Sequence, residues 1–241
     1  MSITDLNAYP IPYHWALSKF YEYRYQFLFQ LAGRFLNTVD VVVDLGCGDG
    51  RMAALLATRV RHVYGIDRQH RPLQFARLLV TASNVTLLEG DVLALPFGPE
   101  VFTAATCFEV IEHLTPQTAG ELLAEAQRVL RAGGRIVLST PNRLGLRKRV
   151  FSGFNPKHYR EYSARELTEI IVSQGFDVVW VGGVYLPPPI PRIEHFASVI
   201  PFRALFRFLV RAGAYLPALS ETLMLIAEKR PSPGRGGGKA A

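Results

Sequence analysis

A chain of 241 residues, 49% of them hydrophobic, is long enough to bury an independent core, and its two cysteines exclude a disulfide framework. No apolar run reaches the roughly eighteen residues of a membrane-spanning helix, and Met1–Pro10 lacks the basic head and apolar core of a secretory leader, so a cytoplasmic protein is expected. The net charge of +7 gathers in an acid-free stretch holding Arg143, Arg147, Lys148, Arg149, Lys157 and Arg160, and near an end, 231–241, whose Pro/Gly-rich composition reads as a disordered tail.

In chain order, residues 1–38 carry an aromatic segment, from Tyr9-Pro10-Ile11-Pro12-Tyr13-His14-Trp15 to Tyr21, Tyr23, Tyr25, Phe27 and Phe29, expected to form a helical cap. Strand-like runs follow at Val39–Leu45, His62–Asp67, Val85–Gly90, Phe102–Phe108, Arg135–Thr140, Phe176–Val184 and Glu221–Glu228. Helical patterns lie between them, the signature of βα units and a parallel sheet with helices on both faces, so 39–230 reads as one α/β domain. Thr115-Pro116 is an N-cap followed by proline at the first helical position, and the stripe Leu122, Leu123, Ala126, Val129, Leu130 ends at Gly133-Gly134. Ser163-Ala164-Arg165-Glu166 is a capping box whose helix stops at Gly175. An insertion at about 186–220 repeats Phe202, Leu205, Phe206, Leu209 and Val210 at helical spacing, predicting a packed helix.

Val41-Val42-Val43-Asp44-Leu45-Gly46-Cys47-Gly48-Asp49-Gly50 runs a buried strand into a tight glycine turn, where backbone N–H groups and a helix N-terminus approach a ligand that a Cβ would block. A dinucleotide turn reads G-x-G-x-x-G and avoids carboxylates beside the pyrophosphate. Here the spacing is G-x-G-x-G with Asp44 and Asp49 flanking it, which suits a cationic, amine-bearing ligand. The second strand ends in Asp67, placed to accept hydrogen bonds from both hydroxyls of a ribose. The third ends at Glu89-Gly90-Asp91-Val92, where Asp91 faces an adenine amino group and Val92 offers a backbone N–H.

These blocks, with Phe108–Leu114 and Arg128–Gly134, resemble in order those of the class I S-adenosylmethionine-dependent methyltransferases over roughly 39–184. The resemblance implies a Rossmann-like sheet of seven strands, mostly parallel with an antiparallel last strand, and S-adenosylmethionine as cofactor. It assigns Asp44, Gly46, Cys47, Gly48, Gly50, Asp67, Arg68, Asp91, Val92 and Phe108 to the cofactor pocket.

Methyl transfer is an in-line displacement that needs alignment and a way to make the acceptor nucleophilic, supplied by a base or a metal. Glu109-Val110-Ile111-Glu112-His113 offers two carboxylates and an imidazole just past the fourth strand. The pattern resembles that of quinone-biosynthesis O-methyltransferases and of small-RNA 3′-terminal 2′-O-methyltransferases, which bind a divalent cation there, and His158 takes a place similar to the latter's fourth ligand. The resemblance therefore implies Glu109, Glu112, His113 and His158 as ligands of Mg²⁺ or Mn²⁺, or Glu109, His113 and His158 as catalytic residues without it. His158-Tyr159-Arg160-Glu161-Tyr162-Ser163 looks like the small-molecule branch. A small, lipid-like or quinone-like acceptor methylated on oxygen is the leading expectation, with RNA 2′-O-methylation and a non-catalytic docking module behind it. Cations interleaved with apolar residues over 143–154 are compatible with peripheral membrane contact, with RNA binding, or with a solvated loop.

Overall fold

The computed structural model describes residues 19–151, 157–187 and 202–231. Helix α1 (Lys19–Ala32) precedes β1 (Val41–Leu45), α2 (Arg51–Ala57), β2 (His62–Asp67), α3 (His70–Leu79), β3 (Val85–Glu89) and β4 (Phe102–Phe108). Then come α4 (Pro116–Val129), β5 (Leu130–Pro141), α5 (Leu146–Phe151), α6 (Ala164–Ser173), β6 (Phe176–Val184), α7 (Arg203–Ala212) and β7 (Thr222–Lys229). The strands make one sheet in the order β3-β2-β1-β4-β5-β7-β6. All neighbours up to β5 are parallel, and β7 runs antiparallel to β5 and β6 on either side of it.

Side chains alternate across a strand, so successive residues feed opposite faces. Val43, Leu45, Ala105, Cys107, Ile136 and Leu138 pack with α4 and α6, whereas Val42, Ala104 and Val137 pack with α1, α2 and α7. Helices therefore cover both faces, which is why the central strands read as continuous apolar runs rather than alternating ones. Both cysteines are free and buried. Among the described residues, no helix is long and apolar enough to cross a membrane.

The expected boundaries hold at most ends and shift where packing overrides local pattern. Helix α4 stops at Val129 rather than at Gly133-Gly134, because Leu130 already pairs with Phe102 as the first residue of β5. The glycines instead serve a bulge inside that strand, Gly133 at φ 72°. In α7 only Phe206 and Val210 of the anticipated stripe are fully buried, while Phe202 and Leu205 are exposed. Lys229 is buried and donates through Nζ to the Leu130 carbonyl at 2.7 Å. Of the aromatic cap, Phe27, Leu28 and Leu31 of α1 are buried; Tyr9–Trp15 and the tail from 232 onward lie outside the described residues, as do 152–156.

Both predicted caps form. Thr115 Oγ1 accepts the Thr118 N–H at 3.2 Å, and at α6 Ser163 and Glu166 exchange side-chain-to-backbone bonds in a capping box. Glu166 also takes Arg143 and Arg160 as donors. Burial raises its carboxyl, but the bonds from Ser163, Arg143 and Arg160 outweigh that and bring it to about 2. Its folded value lies below the ordinary 4.5, so its stabilising contribution is present above pH 4.5 and is lost as pH falls toward 2. Ser163→Ala is expected to cost about 1 kcal/mol, read as a lower urea midpoint at unchanged slope, with a smaller deficit at pH 3 than at pH 7.

Candidate active site

Strand order reverses between β1, which neighbours β2, and β4, which leads to β5. In an open α/β sheet the crevice outside the carboxyl ends of the strands at such a point is where ligands bind. The carboxyl ends of β1, β2, β4 and β5 there bring together the glycine turn, Asp67, Glu109–His113 and Ser139–Thr140.

The glycine turn is built by backbone chemistry that L side chains oppose. Gly46, Gly48 and Gly50 all have positive φ, at 73°, 54° and 76°. Gly46 N–H and Cys47 N–H both donate to the Ile66 carbonyl, clamping the turn onto β2. A Cβ on Gly46 would stand 2.5 Å from Val110 Cγ2, inside any real contact. The turn and the acceptor-side segment thus touch directly at this glycine. Asp67 is the second anchor: its Oδ2 accepts Gly48 N–H and its Oδ1 accepts Gln69 N–H, each at 2.8 Å. Burial raises its carboxyl above the ordinary range, against the pull of those two donors.

Asp44 is 2% exposed. In the parallel register it lies opposite Thr106, whose hydroxyl donates to Oδ1 at 2.7 Å, and Oδ2 has no hydrogen-bond partner. Burial, against the Thr106 bond and assisted by the Asp67 charge, pushes its carboxyl up to about 7. Asp49 and Cys47 are buried in the same turn, and Phe108 closes β4 beside it. Arg68 and Asp91 are exposed; Asp91 Oδ1 accepts Leu93 N–H, closing a local turn, and Val92 packs on the core.

On the acceptor side Glu109 has φ 56°, a strained value for a non-glycine residue. Ser139 holds it there twice: its carbonyl accepts Glu109 N–H at 3.0 Å and its hydroxyl donates to Glu109 Oε1 at 2.8 Å. Glu112 is 1% exposed and accepts the Thr140 hydroxyl. Burial first, then the Glu109 carboxylate, drive its pKa well above the normal range. A carboxylate oxygen of Glu112 and a ring nitrogen of each of His113 and His158 lie within 4.8 Å of one another. Glu109 stands outside that group, engaged by Ser139. The two imidazoles meet edge to face, centroids 5.1 Å apart.

Each histidine is fixed through Nδ1. That of His113 lies 3.2 Å from the Lys157 carbonyl and that of His158 2.9 Å from Glu161 Oε1. A carbonyl and a carboxylate can only accept, so both Nδ1 atoms carry a proton, and a neutral ring held this way has its lone pair on Nε2. Burial is the main reason the His113 pKa falls below its usual value, which keeps the imidazole neutral near pH 7.

The family description "Methyltransferase domain" matches residues 43–138. A protein of Mycolicibacterium smegmatis named "Probable S-adenosylmethionine-dependent methyltransferase" is 35% identical over 161 residues, 66% of this chain and 61% of that protein. The chain carries a class I S-adenosylmethionine-dependent methyltransferase domain. A ubiquinone biosynthesis O-methyltransferase of Aeromonas salmonicida is 36% identical over 121 residues, 49% of this chain and 45% of that protein. The chain thus spans 61% of the first relative's length and less than half of the second's. The solved 1,6-didemethyltoxoflavin-N1-methyltransferase of Burkholderia thailandensis, holding S-adenosylhomocysteine, has the same fold, with TM-score 0.60 at 21% identity over 86% of this chain and 79% of that one.

Several residues of the candidate site carry no sequence motif. Thr106, Ser139 and Thr140 enter through sheet register alone. Glu161 was visible three residues after His158, the spacing of a carboxylate that can hold an imidazole, and Lys148 reaches its other oxygen. That ion pair, with Arg143 and Arg160 on Glu166, means that much of the basic cluster is neutralised by acids immediately following it. Arg149 is spent on the carbonyls of Leu144 and Ala218.

Proposed function

We propose that this domain transfers the methyl group of S-adenosylmethionine to a hydroxyl oxygen of a small, quinone-like acceptor. The observation that carries the reading is the group Glu112, His113 and His158, two imidazoles locked in one tautomer beside a buried carboxylate, set directly past β4. The partial identity with a ubiquinone biosynthesis O-methyltransferase supports the acceptor class. Internal neutralisation of the 143–160 cluster argues against a nucleic-acid backbone, which would need those cations free. Leu144, just before α5, and Val150, within it, are exposed and suit an acceptor met at a lipid surface.

In this reading Asp67 binds the ribose hydroxyls, Asp91 and Val92 the adenine edge, and the glycine turn the methionine part. Asp44 offers its unpartnered Oδ2 to the donor's ammonium group. The acceptor oxygen attacks the methyl carbon in line with the sulfonium, the new C–O bond forming as the C–S electron pair returns to sulfur, while a carboxylate or imidazole of the site takes the hydroxyl proton. Glu112, His113 and His158 have the mixed oxygen and nitrogen donor set of a divalent cation site. Two further features fit: a buried carboxylate pressed by a second acid, which a cation would relieve, and Nδ1 anchors of the kind metal-ligating histidines have. Mg²⁺ or Mn²⁺ held there would supply Lewis acidity that lowers the pKa of an acceptor hydroxyl.

The test is transfer of labelled methyl from S-adenosylmethionine to demethylated catechol or quinol acceptors in detergent micelles. A product heavier by one methyl group on oxygen is expected; label appearing in RNA and in no small phenol overturns the acceptor assignment.

Asp44 gives donor binding a pH dependence. The ammonium pairs with the carboxylate, and in the free protein only about a tenth of Asp44 is ionised at pH 6 for a pKa of about 7. S-adenosylhomocysteine is therefore expected to bind about tenfold more weakly at pH 6 than at pH 8, releasing a proton detectable by calorimetry in two buffers. Asp44→Asn should flatten that dependence. Because folding raises this carboxyl above 3.8, the ligand-free protein loses stability as pH climbs from 3.8 through about 7, so the Asn variant should melt higher at pH 8.

A further inference from the structure

Lys148, Glu161 and His158 form a line of polar contacts, centred on a buried carboxylate, that donor binding does not require. Glu161 is 4% exposed and lies between α5 and α6. Its Oε1 receives His158 Nδ1 at 2.9 Å and its Oε2 the Lys148 ammonium, which comes from the middle of α5. Two backbone bonds fasten the same loop to the acceptor-side turn, Tyr159 N–H and Arg160 N–H both donating to the Glu112 carbonyl. The loop backbone is therefore already tied down without Glu161. Burying the Glu161 carboxylate carries a desolvation cost. A pair of apolar side chains would join α5 to this loop more cheaply, so joining alone does not account for the pair.

We propose that Glu161, held in place by Lys148, is a positioning residue that fixes the His158 imidazole as the Nδ1–H tautomer with its Nε2 lone pair turned to Glu112 and His113. It sets the divalent-cation affinity of that group from outside the group. The inference rests on the cation reading above and adds to it an anchor, running through α5, to which no ligand role attaches. Neutral histidine in water favours the Nε2–H tautomer, so an acceptor at Nδ1 is what reverses the preference. A carboxylate does so more firmly than a neutral acceptor because the bond is charge-assisted.

The experiment uses the full chain and Mn²⁺ as probe. Mn²⁺ binding is followed by electron paramagnetic resonance, S-adenosylhomocysteine binding by calorimetry, and the His158 tautomer by long-range ¹⁵N–¹H spectra without metal. Replacing the ion pair by an apolar one, Lys148→Met with Glu161→Leu, avoids stranding a buried charge and is expected to fold. It should weaken Mn²⁺ by about 10–100-fold, leave S-adenosylhomocysteine affinity within twofold, and move His158 toward Nε2–H. Glu161→Gln, which keeps an acceptor, should fall between this variant and the native protein. Glu166→Gln disturbs the neighbouring ion-pair network without touching His158 and should leave Mn²⁺ affinity unchanged. Native protein that binds no Mn²⁺ at millimolar concentration overturns the cation reading and this inference with it. Native binding with equal affinity in the double variant, or equal weakening in Glu166→Gln, overturns the positioning role alone.

Discussion

Gly46→Ala should bind S-adenosylhomocysteine about 100-fold more weakly than the native protein. Two separable terms add. Holding an L residue in the left-handed region at φ 73° costs about 1–2 kcal/mol. Forcing a methyl to within 2.5 Å of Val110 Cγ2 adds about 1–3 kcal/mol of overpacking. Together they approach the roughly 2.8 kcal/mol that corresponds to a factor of 100. The clash has a partner that can be trimmed, so Gly46→Ala combined with Val110→Ala should recover about tenfold while the backbone term persists. Calorimetry on the two variants reads both terms. Binding by Gly46→Ala within threefold of native would show that the turn tolerates a side chain and that the Gly46–Val110 contact is dispensable.

Glu112→Gln should lower kcat by roughly 100-fold or more while leaving S-adenosylhomocysteine affinity unchanged and the protein no less stable. The amide keeps the shape and can still accept the Thr140 hydroxyl, so the contact that holds residue 112 survives. What disappears is the capacity to carry a negative charge at a buried position facing the Glu109 carboxylate. Since folding raises this carboxyl, its ionised form opposes folding at pH 7, and the neutral variant should melt at or above the native temperature. A chelator should abolish native turnover and Mg²⁺ or Mn²⁺ restore it. Full activity in excess EDTA would remove the cation from the mechanism, and unchanged kcat in Glu112→Gln would remove this carboxylate as well.

The parts legible in the sequence are those whose chemistry is local. The Val-Val-Val-Asp run, the G-x-G-x-G spacing, Asp67 at a strand end and the Ser163 capping box each declare themselves within a few residues. The α4 boundary did not, because Val129 and Leu130 are apolar in either a helix or a strand, and only pairing with Phe102 decides which. Thr106 against Asp44 and Ser139 against Glu109 depend on strand register, a property of two segments at once. The basic stretch read as an outward-facing patch because its counter-charges, Glu161 and Glu166, begin just beyond it and meet it only after α5 and α6 have docked. Within the proposed site, Glu112 and His113 were adjacent in sequence, whereas the approach of His158 follows from the loop that Tyr159 and Arg160 tie to the Glu112 carbonyl.

The place of β7 between β5 and β6 has a consequence for how the chain comes together. Among the described residues β6 has no other neighbour in the sheet, and β7 is almost entirely buried. During synthesis everything through residue 221 can emerge with the parallel half of the sheet assembled while β5 still shows a bare edge and β6 has nothing to pair with. Such edges invite pairing with other chains. Completion of the fold therefore waits on the segment 222–229, and a chain halted before it should aggregate rather than persist as a smaller working domain.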